Sequence, residues 1–152
     1  MVWPHDFAGI ILASFLGAAI GLERELSGKA AGVRTNLLIC LGAAVFTIIS
    51  REMPVGAEAS ITRIAAQIVT GVGFLGAGAI IQDRRGVHGL TTAATIWLVA
   101  SIGMACGARF YGLAIIASLI AITALIGLGK LVKPLERYAA KKTPPPVDDE
   151  FD

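Results

Sequence analysis

The sequence predicts an all-α fold, a multi-pass transmembrane helical bundle of about five spans, and three observations lead to it. First, 55% of the 152 residues are hydrophobic and only 16% are charged, which is more apolar than an ordinary globular domain. Second, apolar segments recur at about the length that crosses hydrocarbon, roughly 20 residues. Third, the charges lie between those segments and sort by side. Aromatic residues make up just 7%, so the apolarity comes from Ala, Ile, Leu, Val and Gly, the residues that let membrane helices approach closely.

The spans are placed at 7–22, 35–50, 64–81, 90–106 and 110–132. The first follows a stretch without Lys or Arg and ends in Glu23, Arg24 and Glu25 instead of a small-residue cleavage site, so it is expected to be retained. Trp3 suits an interfacial anchor at its outer end. Charged connections run from Glu23 to Arg34, Arg51 to Arg63 and Gln82 to Gly89, and a tight turn covers Gly107, Ala108 and Arg109. The segments are continuous and lack the alternation of a membrane barrel, so only a helical bundle satisfies their backbone amides.

With five spans, one side receives Arg24, Lys29, Arg34, Arg84, Arg85, Lys130, Lys133, Arg137, Lys141 and Lys142. The other receives only Arg51, Arg63 and Arg109. The lysine- and arginine-rich side is expected to be cytoplasmic, with the N-terminus outside. The transmembrane domain is taken as residues 1–133, and 134–152 as a disordered cytoplasmic tail that is basic, then Pro-rich, then acidic. A net charge of +2 does not suggest nucleic-acid binding. Cys40 and Cys106 fall in apolar segments and read as small buried hydrophobes.

One pattern occurs twice. Phe15 to Ala18 reads FLGA, as does Phe74 to Ala77; each copy leads through a charged loop to Gly32-Val33-Arg34-Thr35 or Gly89-Leu90-Thr91-Thr92, and then to another span. Spans one and two thus correspond to three and four, as a parallel repeat about an axis along the membrane normal. The repeat predicts that Glu23, Arg24 and Glu25 face Asp83, Arg84 and Arg85.

Candidate functional residues are few. Glu23, Glu25 and Asp83 offer oxygen ligands that a hard cation such as Mg²⁺ takes, but the neighbouring Arg24, Arg84 and Arg85 favour an ion-paired cluster over a metal site. Arg34 and Arg63 sit at span edges, suited to snorkelling or to pairing inside the bundle. Gln67, Thr91 and Thr92 put polar groups in or near spans, most simply for interhelical hydrogen bonds. Gly71, Gly73 and Gly76 match the G-x-G-x-x-G dinucleotide fingerprint, but inside a span instead of after a strand, which excludes that reading. With Gly78, and with Gly17 and Gly21 in the first span, they are read as packing glycines; a locally unwound helix lining a site is the sharper alternative. No nucleophile stands beside a base and no second His lies at ligand spacing, so no enzyme is expected and no cofactor beyond the Mg²⁺ candidate.

The stretches IGLERELSGKAAGVRTNLLICLGAAVF, from Ile20 to Phe46, and RIAAQIVTGVGFLGAGAIIQDRRGVHGLTTAATIWLVASIGMACG, from Arg63 to Gly107, resemble the membrane domain of the bacterial MgtC/SapB family. The resemblance covers nearly all of the first four spans. It implies a bacterial inner-membrane protein related to members needed for growth at low magnesium and for survival inside macrophages. Those members are regarded as regulators, reported to act on the F-type ATP synthase, and not as demonstrated magnesium carriers. Several carry a soluble domain after the last span, where this sequence has a short tail. The expected function is adaptation to low magnesium or related stress through contact with another membrane protein; the rival is a small transporter or channel for magnesium or another cation. Small-residue helix faces also invite a homodimer.

Overall fold

The computed structural model describes residues 4–53, 62–84 and 86–142, with side chains in all of these except 62–64 and 130–142. Trp3, Arg85, the side chain of Arg63 and the tail from residue 143 lie outside the described residues. The chain forms α1 (Pro4–Leu26), α2 (Val33–Glu52), α3 (Thr62–Gly78), a hairpin of β1 (Ile81–Asp83) and β2 (Gly86–His88), α4 (Leu90–Gly107) and α5 (Tyr111–Lys142). Four of the helices are long and apolar enough to cross a membrane. The other, α3, has 17 residues and stops at Gly78, three residues before the expected end at 81.

The hairpin was not expected. Asp83 pairs with Gly86 and Ile81 with His88, and both strands are exposed. At its exit Gly89 adopts φ +88°, and a Cβ there would come within 1.9 Å of the Ala79 carbonyl oxygen, so the turn admits only glycine. Helix α5 also runs on to Lys142, across the boundary set at 134. Its Pro134 loses one hydrogen bond there but does not end the helix.

Helices α2 and α4 form the centre. A Cβ at Gly103 would stand 2.1 Å from the Cys40 carbonyl oxygen, and one at Gly107 would stand 2.4 Å from that of Ala44, so the two backbones touch. Helix α1 packs on both central helices and α3 packs on both as well. This is the layout a parallel repeat requires, with the second helix of each pair at the axis. The equivalence extends to single residues. Gly17 of α1 lies against the Asn36 carbonyl and Gly76 of α3 against the Ala93 carbonyl, and Asn36 and Ala93 hold matching places after the related loop exits.

Ala13, Ile20, Cys40, Ala44, Val99, Ile102 and Cys106 make the main core, with both cysteines free. A smaller cluster joins α3 to the centre through Ile68, Val72, Ile96 and Ala100. Large apolar side chains including Phe7, Phe15, Phe74, Trp97 and Leu119 point outward. An apolar belt of that kind is suited to lipid.

Candidate functional site

Charged groups gather at the two ends of the bundle. At one end Asp6, in the first turn of α1, is buried. The Arg51 guanidinium from the last turn of α2 pairs with it through Nη2, while Nη1 donates to the Gly107 carbonyl at 2.7 Å. Arg109 Nη2 donates to both Asp6 oxygens, at 3.1 and 3.3 Å, and its Nε reaches Oδ1 at 3.2 Å. Arg109 has φ +67° and occupies the position just past α4 where glycine is usual; the Phe110 N–H returns to the Ala105 carbonyl at 2.8 Å to close the cap. The strained backbone aims the guanidinium at Asp6. One carboxylate thus ties together α1, α2 and the α4–α5 turn. Sequence reasoning placed Arg51 and Arg109 on one side but overlooked their partner; the signal was a lone carboxylate just ahead of the first span, on that same side.

At the other end, Glu23 and Arg24 are both buried and form a bidentate pair, Nε to Oε2 at 2.6 Å and Nη2 to Oε1 at 3.0 Å. Ser27 Oγ also donates to Glu23, at 2.8 Å. Glu25 Oε2 accepts the Val33 N–H at 3.0 Å, and so satisfies a free amide in the first turn of α2. Asn36 donates to the Ala31 carbonyl and, at 3.0 Å, to that of Gly32, leaving its buried Oδ1 without a partner among the described residues. On the exposed hairpin Asp83 lies 3.4 Å from His88 Nε2.

The three carboxylates considered for Mg²⁺ are therefore engaged separately: one with Arg24 and Ser27, one as a helix cap and one on the hairpin. Among the described residues no three His, Cys, Asp or Glu side chains gather as a metal-holding group. The two charged turns do share a cleft, but of the described residues expected to face each other there only Arg24 lines it. A cleft of about 700 Å³ is lined by Arg24 and Lys29 from the first turn, His88 from the second, Thr91 and Thr92 from α4, and Leu128 from α5. Glu23 pairs with Arg24 and Asp83 with His88, each within its own turn, and Asp83 and Arg84 are exposed on the hairpin.

The other polar candidates are dispersed. Arg34 borders a cavity of about 530 Å³ with Phe74 and Gly78. Gln67 lines an apolar groove of about 650 Å³ with Leu38, Phe46 and Gly71. The packing glycines divide as well. A Cβ at Gly17 or Gly21 would come within 2.7 Å of α2, and one at Gly76 would rest 3.7 Å from α4. The packing role expected of Gly71, Gly73 and Gly78 is not found, because nothing lies within 4 Å of a Cβ at any of them; Gly71 and Gly78 border the open grooves beside α2, and Gly73 lies on the opposite face of the helix. Gly103 and Gly107, which make the tightest contacts between helices, repeat the spacing of Gly17 and Gly21 and were legible on that ground.

Apolar helices of spanning length, an outward aliphatic belt and charges confined to the two ends define a polytopic α-helical membrane protein. Within that class the chain belongs to the MgtC family, whose model matches residues 10–134. It is 43% identical over 145 residues to the protein MgtC of Brucella abortus (strain 2308), covering 93% of this chain and 60% of that one. It is 46% identical over 124 residues to the putative magnesium transporter YhiD of Escherichia coli K12, covering 76% and 57%. It is 46% identical over 126 residues to the protein MgtC of Salmonella typhimurium (strain 14028s), covering 83% and 53%. The chain thus spans between 53% and 60% of the length of these relatives. No solved structure matches it.

Proposed function

We propose that the protein is a non-enzymatic regulator in the bacterial inner membrane, acting in adaptation to low magnesium or related stress by contact with another membrane protein. The carrying observation is the contrast between a closed centre and an open flank. Helices α1, α2 and α4 meet at backbone distance through Gly17, Gly103 and Gly107, which leaves little room for an ion among them. Helix α3 carries Gly71, Gly73 and Gly78 with open space beside them. Gly71 and Gly78, seven residues apart on one face, border grooves beside α2, and in lipid such small residues are suited to receive a helix of another protein. The F-type ATP synthase is the partner that the family resemblance suggests. The excess of Lys and Arg at the end with the α1–α2 turn supports a cytoplasmic position for that end.

The rival reading is a cation carrier, in line with the name given to the Escherichia coli relative. The purified full chain in liposomes enclosing a magnesium-sensitive dye separates the two. A regulator leaves the dye signal at the level of protein-free liposomes, whereas protein-dependent flux, lost on Glu23→Ala with folding intact, would make the protein a carrier. As the complementary arm, Gly71→Leu fills the open groove beside α3; under the regulatory reading it abolishes low-magnesium growth while the membrane level of the protein is unchanged.

A further inference from the structure

We infer that the cleft between the α1–α2 turn and the start of α4 is a phosphate-binding site, an assignment independent of whether the protein regulates or transports. Helix α4 begins at Gly89 in the left-handed conformation, without a side-chain cap. Its first amides, at Leu90, Thr91 and Thr92, therefore have no partner within the helix, and they carry the positive end of the helix dipole. A helix start of this kind recognises phosphate oxygens.

Two buried side chains point independently to a ligand in the same place. Thr92 is 5% exposed and lines the cleft, and its hydroxyl has no hydrogen-bond partner among the described residues. With no partner inside the protein, the hydroxyl is left to bond whatever occupies the cleft, and a phosphate oxygen would accept from it. Arg24 is 4% exposed and also lines the cleft; Glu23 takes its Nε and Nη2, so Nη1 is left to donate. Because Glu23 neutralises Arg24, the net positive charge comes from elsewhere. Lys29 supplies it. The Lys29 N–H returns to the Arg24 carbonyl at 2.9 Å, closing a cap around Gly28 at φ +64° that holds the lysine at the rim. Among the described residues Lys29 has no carboxylate partner.

The opposite wall is apolar, formed by Leu125 and Leu128 near the end of the α5 span. A site with phosphate donors on one wall and aliphatic side chains on the other, at the end of the spans, is suited to a lipid headgroup with its chain along α5. A free phosphate ion would use the same donors without that wall.

The test uses the purified full chain in detergent, titrated with dihexanoyl phosphatidic acid and separately with inorganic phosphate, with thermal stability as the readout. Stabilisation by the lipid alone, or by both probes, supports the site, and the comparison identifies the source of the phosphate. Thr92→Val, which keeps the shape and removes the hydroxyl, and Lys29→Ala, at an exposed position, each weaken binding by roughly tenfold. Arg84→Ala, a cation on the nearby hairpin, leaves it unchanged. Absence of stabilisation by either probe overturns the assignment, as does equal stabilisation of the wild type and the Lys29→Ala variant. The latter measurement stands even if Thr92→Val does not fold.

Discussion

In the first helix pair Leu16 is 7% exposed, and in the second the matching Leu75 is 49% exposed, although both belong to the same four-residue sequence. The next residue tells the same story: a Cβ at Gly17 would be 2.7 Å from its facing carbonyl, and one at Gly76 would be 3.7 Å from its own. Local sequence fixes which face of the helix turns inward, since Phe15 and Phe74 both point outward. It does not fix how deeply that face is pressed. The pressing comes from the ends. Asp6 with Arg51 and Arg109 clamps α1 to α2 at one end, and Glu25 caps α2 at the other. The second pair is joined by an exposed hairpin, and its Asp83 pairs with His88 of that same hairpin. One copy of the repeat is therefore held tightly at its ends, and the other leaves more of its surface open.

The most forceful way to break this comparison is to release the clamp. Asp6→Asn leaves two guanidiniums facing a neutral amide at a buried position, and should cost on the order of 3–5 kcal/mol. Equilibrium unfolding in mild detergent measures it. A loss below about 1 kcal/mol, the range of exposed pairs, would mean that the end clamp does not hold the first pair together.

The matched glycines give a sharper and smaller test. Gly17→Ala forces a methyl against backbone and should cost about 1–3 kcal/mol, whereas Gly76→Ala has ordinary contact distance and should stay within about 0.5 kcal/mol. Equal losses at the two positions would dissolve the distinction between the pairs.

Much of this architecture was legible before any coordinates. Span length, charge sorting and the doubled FLGA motif gave the helices and the parallel layout, because hydrocarbon thickness and backbone satisfaction leave few other solutions. The clamp was not legible, since pairing Asp6 with Arg109 requires knowing that residues 103 positions apart meet at one end. The shared cleft was legible only in outline. The repeat brought the two charged turns together, but side-chain rotamers and the hairpin decided that Lys29 and His88 line it instead of Asp83 and Arg84. Nor can spacing alone separate a glycine that packs from one that does not. Gly73 and Gly103 both sit in small-residue runs, and only the position of the neighbouring helix makes one open and the other indispensable.

The smallest expected effect lies at Gly71, in the open groove between α3 and α2, and has the opposite sign. Gly71→Ala places a methyl where nothing lies within 4 Å, so no contact is strained, and alanine favours the helix over glycine by up to about 1 kcal/mol. The isolated protein should unfold later in detergent. If α3 receives a partner helix through this face, the same methyl would keep that helix at a greater distance, so the variant should be more stable alone and weaker in its association. Co-purification with the partner beside the unfolding curve reads both quantities. Stability and association rising together would show that the groove is spare volume and that the contact surface lies elsewhere on the bundle.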